Sequence, residues 1–330
     1  MREFGIQLAP HDVKEKADSF ASMVGKSLFS PGQEADPNTA PEKMFAAGAP
    51  SPERFSLSFE FFPPHTFEGL EKLKITARTL AMLYPAYFSV TFGAAGNLQD
   101  QTMNTVLELH RSNLRIPIAP HISCIGTSPN SVRQLLNSYK QVGINHLVVL
   151  RGDVPSGMVR PGFFHYAIDL VKFIREETGD HFFIDVAAYP EYHPEAIDPD
   201  NDLMHFNNKM QAGANRAITQ YFFNTDSYWH FVERCHQKGI RDPIIPGIMP
   251  INNFYQLQRF SDNCGAEIPR WLRMRLAKFA DDTESLSAFG NEFITHLCQR
   301  LLGQGAPGLH FYTLNKAESS LSICQKLNWV

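Results

Sequence analysis

Hydrophobic and polar positions fall into short apolar runs with a two-residue alternation, each followed by a longer stretch where apolar residues recur every three to four positions. The first period belongs to strands and the second to amphipathic helices. Strand-type runs lie at 55–62 (FSLSFEFF), 87–93 (YFSVTFG), 116–124 (IPIAPHISC), 146–153 (HLVVLRGD), 182–190 (FFIDVAAYP), 216–223 (RAITQYFF), 244–250 (IIPGIMP) and 308–314 (GLHFYTL). The helical stretch SPNSVRQLLNSYKQVGI carries its own punctuation: Ser128 can cap it, Pro129 suits the first helical position and Gly143 the exit. Strands alternating with helices pair in parallel through crossovers, and eight such units predict an α/β fold, a closed (β/α)8 TIM barrel over 54–330. An open doubly wound sheet is the alternative, weakened because no GxGxxG follows the first strand. The span 251–307 has room for two inserted helices, NNFYQLQRFSDNCG and PRWLRMRLAKFA, before the last barrel helix at 284–303. Ahead of the barrel, residues 1–53 read as an N-terminal extension with a short helix near 11–25 and a Pro/Ala-rich linker from 30 onward.

Charge and composition then narrow the partners. A formal net charge of -4 with no long basic run points away from nucleic acid, whose phosphates need clustered Lys and Arg. No apolar run approaches the roughly 20 residues that span a bilayer, and Glu3, Asp12, Glu15 and Asp18 disfavour a targeting peptide. The five cysteines, Cys124, Cys235, Cys264, Cys298 and Cys324, form no CxxC pair, and the thirteen histidines include no HExxH. A reduced, cytoplasmic protein without a metal site, acting on small molecules, is expected.

Along the first strand, alternation puts Ser56, Ser58 and Glu60 on one face and Leu57, Phe59 and Phe61 on the other. The apolar set must face the helices, so Glu60 points into the lumen near the C-terminal end of its strand, where barrel active sites are built. A strand glutamate is ordinarily a partnered or solvent-exposed acid. Here Thr91, His121, Arg151, Asp153, Tyr189, Gln220 and Tyr312 lie on or at the ends of other strands, and such a ring is what a catalytic mouth requires. Burial disfavours a carboxylate, so Glu60 could serve as a proton donor. The glycines of RGD and QAGANRA form no phosphate loop, no GxSxG occurs, and Cys124 reads as a small buried hydrophobe. Phe260, within FYQLQRF, reads as helix core.

The motifs SFEFFPP, SVTFGA, APHISC, VVLRGD, AAYPEYHPEA, AGANRAITQYFF, IIPGIMP and HFYTLN, in that order over about 54–330, resemble the catalytic domain of the 5,10-methylenetetrahydrofolate reductase family in its short bacterial form. The resemblance implies an FAD-containing barrel that reduces 5,10-methylenetetrahydrofolate to 5-methyltetrahydrofolate with NADH or NADPH. It further implies ping-pong hydride transfer through the flavin, a role in methionine synthesis, and a homo-oligomer. By motif, Glu60 matches the acid that protonates folate N10, and Asp153 an acidic residue near flavin and pterin that tunes both. Gln220, Phe260, Tyr312 and Lys316 match substrate contacts. Thr91, Phe92, His121, Arg151, Gly152, Asp153, Tyr166, Ala187, Tyr189, His193, Asp202, His205, Asn208 and Lys209 match positions that hold FAD. Phe92 stands where many bacterial members have Tyr, His205 and Asn208 where some have Asn and Arg, and Lys316 where Arg is usual, exchanging a planar fork for a point charge. Because the chain ends at Val330, no C-terminal regulatory domain and no feedback by adenosylmethionine are expected. The alternatives are another flavin barrel, of the proline dehydrogenase kind, and a non-catalytic flavin- or folate-binding barrel.

Overall fold

The computed structural model describes residues 55–92, 96–112, 114–152 and 162–329. The predicted extension, 1–53, lies outside them, as does Asp153. In chain order the elements are β1 (Ser56–Phe61), α1 (Phe67–Ala81), β2 (Tyr87–Val90), α2 (Gly96–Arg111), β3 (Ile118–Ser123), α3 (Pro129–Gln141), β4 (His146–Leu150) and α4 (Ala167–Thr178). There follow β5 (Phe183–Ala188), α5 (Pro199–Gln211), β6 (Arg216–Thr219), α6 (Thr225–Gln237), β7 (Ile244–Ile245), β8 (Gly247–Ile248), α7 (Phe254–Cys264), α8 (Arg270–Ala277), α9 (Thr283–Gly303), β9 (Gly308–Tyr312) and α10 (Glu318–Lys326). At the start of α3, Ser131 N donates to Ser128 Oγ at 3.2 Å and Ser128 N to Ser131 Oγ at 2.9 Å, a reciprocal cap on the first turn.

Every strand pairing is parallel, in the order β7-β6-β5-β4-β3-β2-β1-β9-β8. The stretch predicted as one strand, 244–250, is two: β7 pairs with β6 and β8 with β9. The break falls at Pro246, which has no N–H for a ladder, although its carbonyl still accepts from His310 N at 3.0 Å. The two halves act as one stave, so the nine strands close a ring of eight. The strands also stop short of the predicted runs, leaving Thr91, Arg151, Tyr189 and Gln220 just beyond the ladder at the C-terminal mouth. Two inserted helices, α7 and α8, occupy the long connection as predicted. Among the described residues no helix is long and apolar enough to cross a membrane.

Alternation divides the barrel into two environments. Leu57, Phe59 and Phe61 are buried in the layer between sheet and helices, with Phe59 5.6 Å from Phe311 and Phe61 5.1 Å from Phe88 between ring centroids. Inside the lumen, Tyr87, Ala119, Val148 and Ile218 make a small apolar cluster. Its N-terminal end holds a buried charge: Asp185 accepts from Arg216 Nε at 2.7 Å, from Arg216 Nη2 at 2.8 Å, and lies 2.8 Å from His146 Nε2. The Arg216 guanidinium in turn lies 5.0 Å from both the Tyr87 and Phe183 rings.

Burial alone would raise the Asp185 carboxyl, but His146 and Arg216 outweigh it and hold the group well below the ordinary carboxylate range. Asp185→Asn removes the charge that answers Arg216, and urea unfolding at about pH 7 should show a loss of about 3–5 kcal/mol. A depressed carboxyl stabilises the fold fully above its unfolded value of about 3.9 and progressively less below it. The urea midpoint should therefore fall more for the native chain than for Asp185→Asn between about pH 6 and about pH 3.

Candidate active site

Glu60 is the fifth residue of β1, on the lumen face, with 18% of its side chain exposed. Its Oε2 lies 3.4 Å from His121 Nε2 on β3 and 3.6 Å from His310 Nε2 on β9. Those separations exceed a good hydrogen bond, and both nitrogens of His121 and Nε2 of His310 are buried without a hydrogen-bond partner. His310 is oriented from behind, its Nδ1 2.8 Å from Ser58 Oγ. The strand end carrying Glu60 is itself tied down, because the Thr313 hydroxyl donates to the Glu60 carbonyl at 2.6 Å.

Tyr312, opposite Glu60 in the β1–β9 register, gives its hydroxyl to the Thr219 carbonyl at 2.7 Å, so it offers the mouth a ring rather than a free phenol. Gly247 makes this possible: a Cβ there would sit 2.1 Å from Thr219 O and 2.7 Å from the Tyr312 ring. Burial, followed by the Glu60 charge, pushes the Tyr312 phenol well above its ordinary value.

A second group gathers past the ends of β4 and β5. Lys209 reaches back from α5 and donates from Nζ to the Ala187 carbonyl at 2.6 Å. Its ammonium is enclosed although the stem is partly exposed, and burial, opposed by Asp202, brings it down to about 8. Asp202 accepts from His193 N at 3.1 Å, and the His193 ring stands edge-on to Tyr189 at 4.7 Å. Arg151 donates to Glu195 at 2.7 Å, and Tyr166 stacks on His205 at 6.1 Å. Gly152 turns the chain with φ of 82°, and a Cβ there would lie 2.1 Å from Ser123 Oγ. Thr91 holds the neighbouring rim, its N–H on Phe61 O at 2.9 Å and its carbonyl accepting from Thr102 at 3.1 Å, with Phe92 half-buried beside it. Asn208 is half-buried on the same helix as Asp202 and Lys209.

The remaining sequence-predicted residues are spread more widely. Gln220 donates from its N–H to Ala188 O at 2.8 Å and shares a shallow cavity with Tyr189, Tyr221 and Cys264. Phe260, on α7, is partly buried against the main core. Lys316 is exposed in the turn after β9. A larger cavity of about 330 Å³ lies apart from Glu60, between the start of α6 and the helices α8 and α9. It holds no residue of the Glu60 cluster. Sequence reasoning assigned no role to His310 or Glu195. Counting back two from Tyr312 puts His310 on the lumen face, so its direction was available; its partnership with Ser58, 252 residues away, was not.

The arrangement sets a half-enclosed carboxyl over an imidazole anchored by a hydroxyl, beside a rim with a buried ammonium, an arginine and stacked rings. Such a mouth can move a proton at one point and hold a flat polar group along its edge. Comparison with known proteins gives the same direction. Residues 47–328 match the sequence profile of the family described as Methylenetetrahydrofolate reductase. The chain is 40% identical over 274 residues to 5,10-methylenetetrahydrofolate reductase of Escherichia coli (strain K12), a match covering 83% of this chain and 91% of that protein. It is 35% identical over 288 residues to Methylenetetrahydrofolate reductase (NADH) 1 of Arabidopsis thaliana, covering 83% of this chain and 48% of the plant protein. Among solved structures, an uncharacterized protein from Clostridium thermocellum that binds two copies of 5-methyl-5,6,7,8-tetrahydrofolic acid shares the fold, with a TM-score of 0.58 at 18% identity over 84% of this chain and 95% of that one. With a match of this length and identity, running through the barrel that carries Glu60, the chain belongs to the methylenetetrahydrofolate reductase family of enzymes.

Proposed function

We propose that the chain reduces 5,10-methylenetetrahydrofolate to 5-methyltetrahydrofolate with a reduced nicotinamide, through bound FAD, in a ping-pong sequence that feeds methionine synthesis. The observation that carries this reading is Glu60, set at the mouth between His121 and the Ser58-anchored His310. A proton from Glu60 to folate N10 opens the five-membered ring to an iminium, whose exocyclic carbon then accepts a hydride. Bound FAD would supply the hydride chemistry that links the nicotinamide to this carbon. The plant relative's name specifies NADH, which favours NADH over NADPH.

The residues present fit a flavin. Both nitrogens of the buried His121 lack a protein partner, as a ring facing a polar ligand would. Lys209 spends one of its three N–H donors on Ala187 and keeps charge beside a rim that would meet a diphosphate. Thr91, Phe92, Arg151, Gly152, Asp153, Tyr166, Ala187, Tyr189, His193, Asp202, His205 and Asn208 are the further positions that would hold FAD, and Asp153 would also meet the pterin. Gln220, Phe260, Tyr312 and Lys316 would contact the folate. Four of the five cysteines are buried, and all are free thiols, which supports a reducing, cytoplasmic setting.

Burial brings His121 down to about 4, and the Glu60 charge only partly opposes this. The ring beside Glu60 is thus neutral at physiological pH and is not a cation that would pin the acid as carboxylate. In labelled protein the His121 ring resonances should stay flat from about pH 5.5 to about pH 8, the range where an ordinary histidine titrates. Purified protein should be yellow or should become so with FAD. Glu60→Gln should lower folate reduction by a factor on the order of 10²–10⁴ while NADH still reduces the flavin. Equal loss of both half-reactions would remove Glu60 from its assigned role.

A further inference from the structure

Below Glu60 the lumen is more polar than the branched apolar layers that usually fill such a barrel. Glu60 Oε2 stands 3.6 Å from His310 Nε2, and His310 Nδ1 stands 2.8 Å from Ser58 Oγ. At the N-terminal end, His146 is 2.8 Å from Asp185, and its side chain retains 10% exposure. Tyr87 lies between these two groups, its ring 6.0 Å from that of His310 and 4.4 Å from that of His146. The Tyr87 hydroxyl is buried and makes no direct hydrogen bond. Ser58, Asp185 and Arg216 are nevertheless the polar side chains close enough to act on it. Ser89, beside Glu60 in the β1–β2 register, is another buried hydroxyl with no partner. Buried hydroxyls in native proteins are bonded to something, and an internal water with several polar neighbours is the usual solution. The plainer reading is an inert plug, with the Tyr87 ring serving only as a platform for Arg216.

We infer that Tyr87 is a relay, joining the Asp185–His146 pair to Ser58 and His310 through bridging water, so that Glu60 regains its proton through the barrel rather than through the mouth. This rests on the reading of Glu60 as the proton donor to N10. Each turnover leaves Glu60 as a carboxylate beneath a mouth covered by stacked ligands. One proton enters at His146; the bridging water, Tyr87, Ser58 and His310 each take one and pass one on while Asp185 stays ionised against Arg216, and Glu60 ends protonated. The net change is one solvent proton replacing the one given to N10, with no oxidant or reductant involved. Tyr87 works as a neutral phenol throughout, accepting on its lower side while donating toward Ser58. Burial, then the Asp185 charge, favours that form.

Tyr87→Phe keeps the ring and removes the relay atom. In a single turnover of pre-reduced, FAD-loaded enzyme with 5,10-methylenetetrahydrofolate, flavin reoxidation should keep its native rate within about twofold, because Glu60 begins protonated. Proton uptake, followed with a pH indicator, should coincide with reoxidation in the native enzyme and lag behind it by on the order of tenfold in the variant. Turnover of NADH with a quinone, which needs no proton from Glu60, should be unaltered. Uptake that keeps pace with reoxidation in Tyr87→Phe would overturn the relay, and so would a slowing of reoxidation or of quinone turnover to the same extent, since that marks a structural role. A crystal structure fine enough to order water supplies an independent check. Water joining the Tyr87 and Ser58 hydroxyls is expected, and a dry contact would overturn the path. If Glu60→Gln retained folate reduction, the donor reading would fail first, and the uptake experiment distinguishes the two failures.

Discussion

Along β1 every second side chain is pressed into the layer beneath the helices, and that pressure decides where Glu60 can go. Phe59 and Phe61 have almost no exposed surface, and each aromatic side chain buried there is worth about 1.5–3 kcal/mol relative to exposure. A shift of one residue would carry both rings into the lumen and push Ser58 and Glu60 against the helices, exchanging apolar burial for an unpaired acid in an apolar layer. The apolar face thus aims the polar one. The aim is held further along by Thr313, which grips the Glu60 carbonyl from β9, and by Tyr312, whose hydroxyl locks onto the Thr219 carbonyl across the gap that Gly247 leaves.

The lumen poses a harder problem, because polar groups that serve chemistry must be satisfied without water's full dielectric. Asp185 solves it by direct pairing, receiving Arg216 and His146 within a few tenths of an ångström of ideal distance. Such a buried pair contributes less net stability than its short contacts suggest, since removing both charges from water costs several kcal/mol per ion. What it provides is definition: Arg216 can sit nowhere else, and its guanidinium fixes the faces of Tyr87 and Phe183. Near the mouth the opposite policy holds. His121, His310 and Ser89 keep polar atoms without protein partners, and such atoms are unfavourable in an empty lumen and useful in one that receives a ligand.

The parts of this organisation that were legible in the sequence are those governed by local periodicity. Two-residue alternation located the strands and chose the face of Glu60; the Ser128, Pro129 and Gly143 signals delimited α3. Pro246 was visible as a residue without an N–H, yet the reading ran one strand through it, because a single missing donor does not say whether its neighbours still pair. What could not be read were pairings over long chain distances. Arg151 meets Glu195 across 44 residues, and Ser58 meets His310 across 252. No spacing rule connects them, and only closure of the ring brings β1 beside β9. The flavin and folate roles proposed for these residues rest on ordered motifs, a signal of kinship rather than of physics.

Lys209 links these themes. Its ammonium is enclosed at a helix position where ordinary exposure would cost nothing, and its described partner, the Ala187 carbonyl, is neutral. Burial therefore brings it down to about 8, with Asp202 too weak a counterweight to restore the ordinary value. A chain that only needed to fold would do better with an apolar residue there, since a half-compensated cation weakens the native state as pH falls and the group must charge. The arrangement becomes favourable once an anion lies against the rim, because a negative charge a few ångströms away favours the ammonium as strongly as burial opposes it. By the same linkage, an anion held there would bind more tightly below pH 8 than above it and would return stability to the fold that carries it.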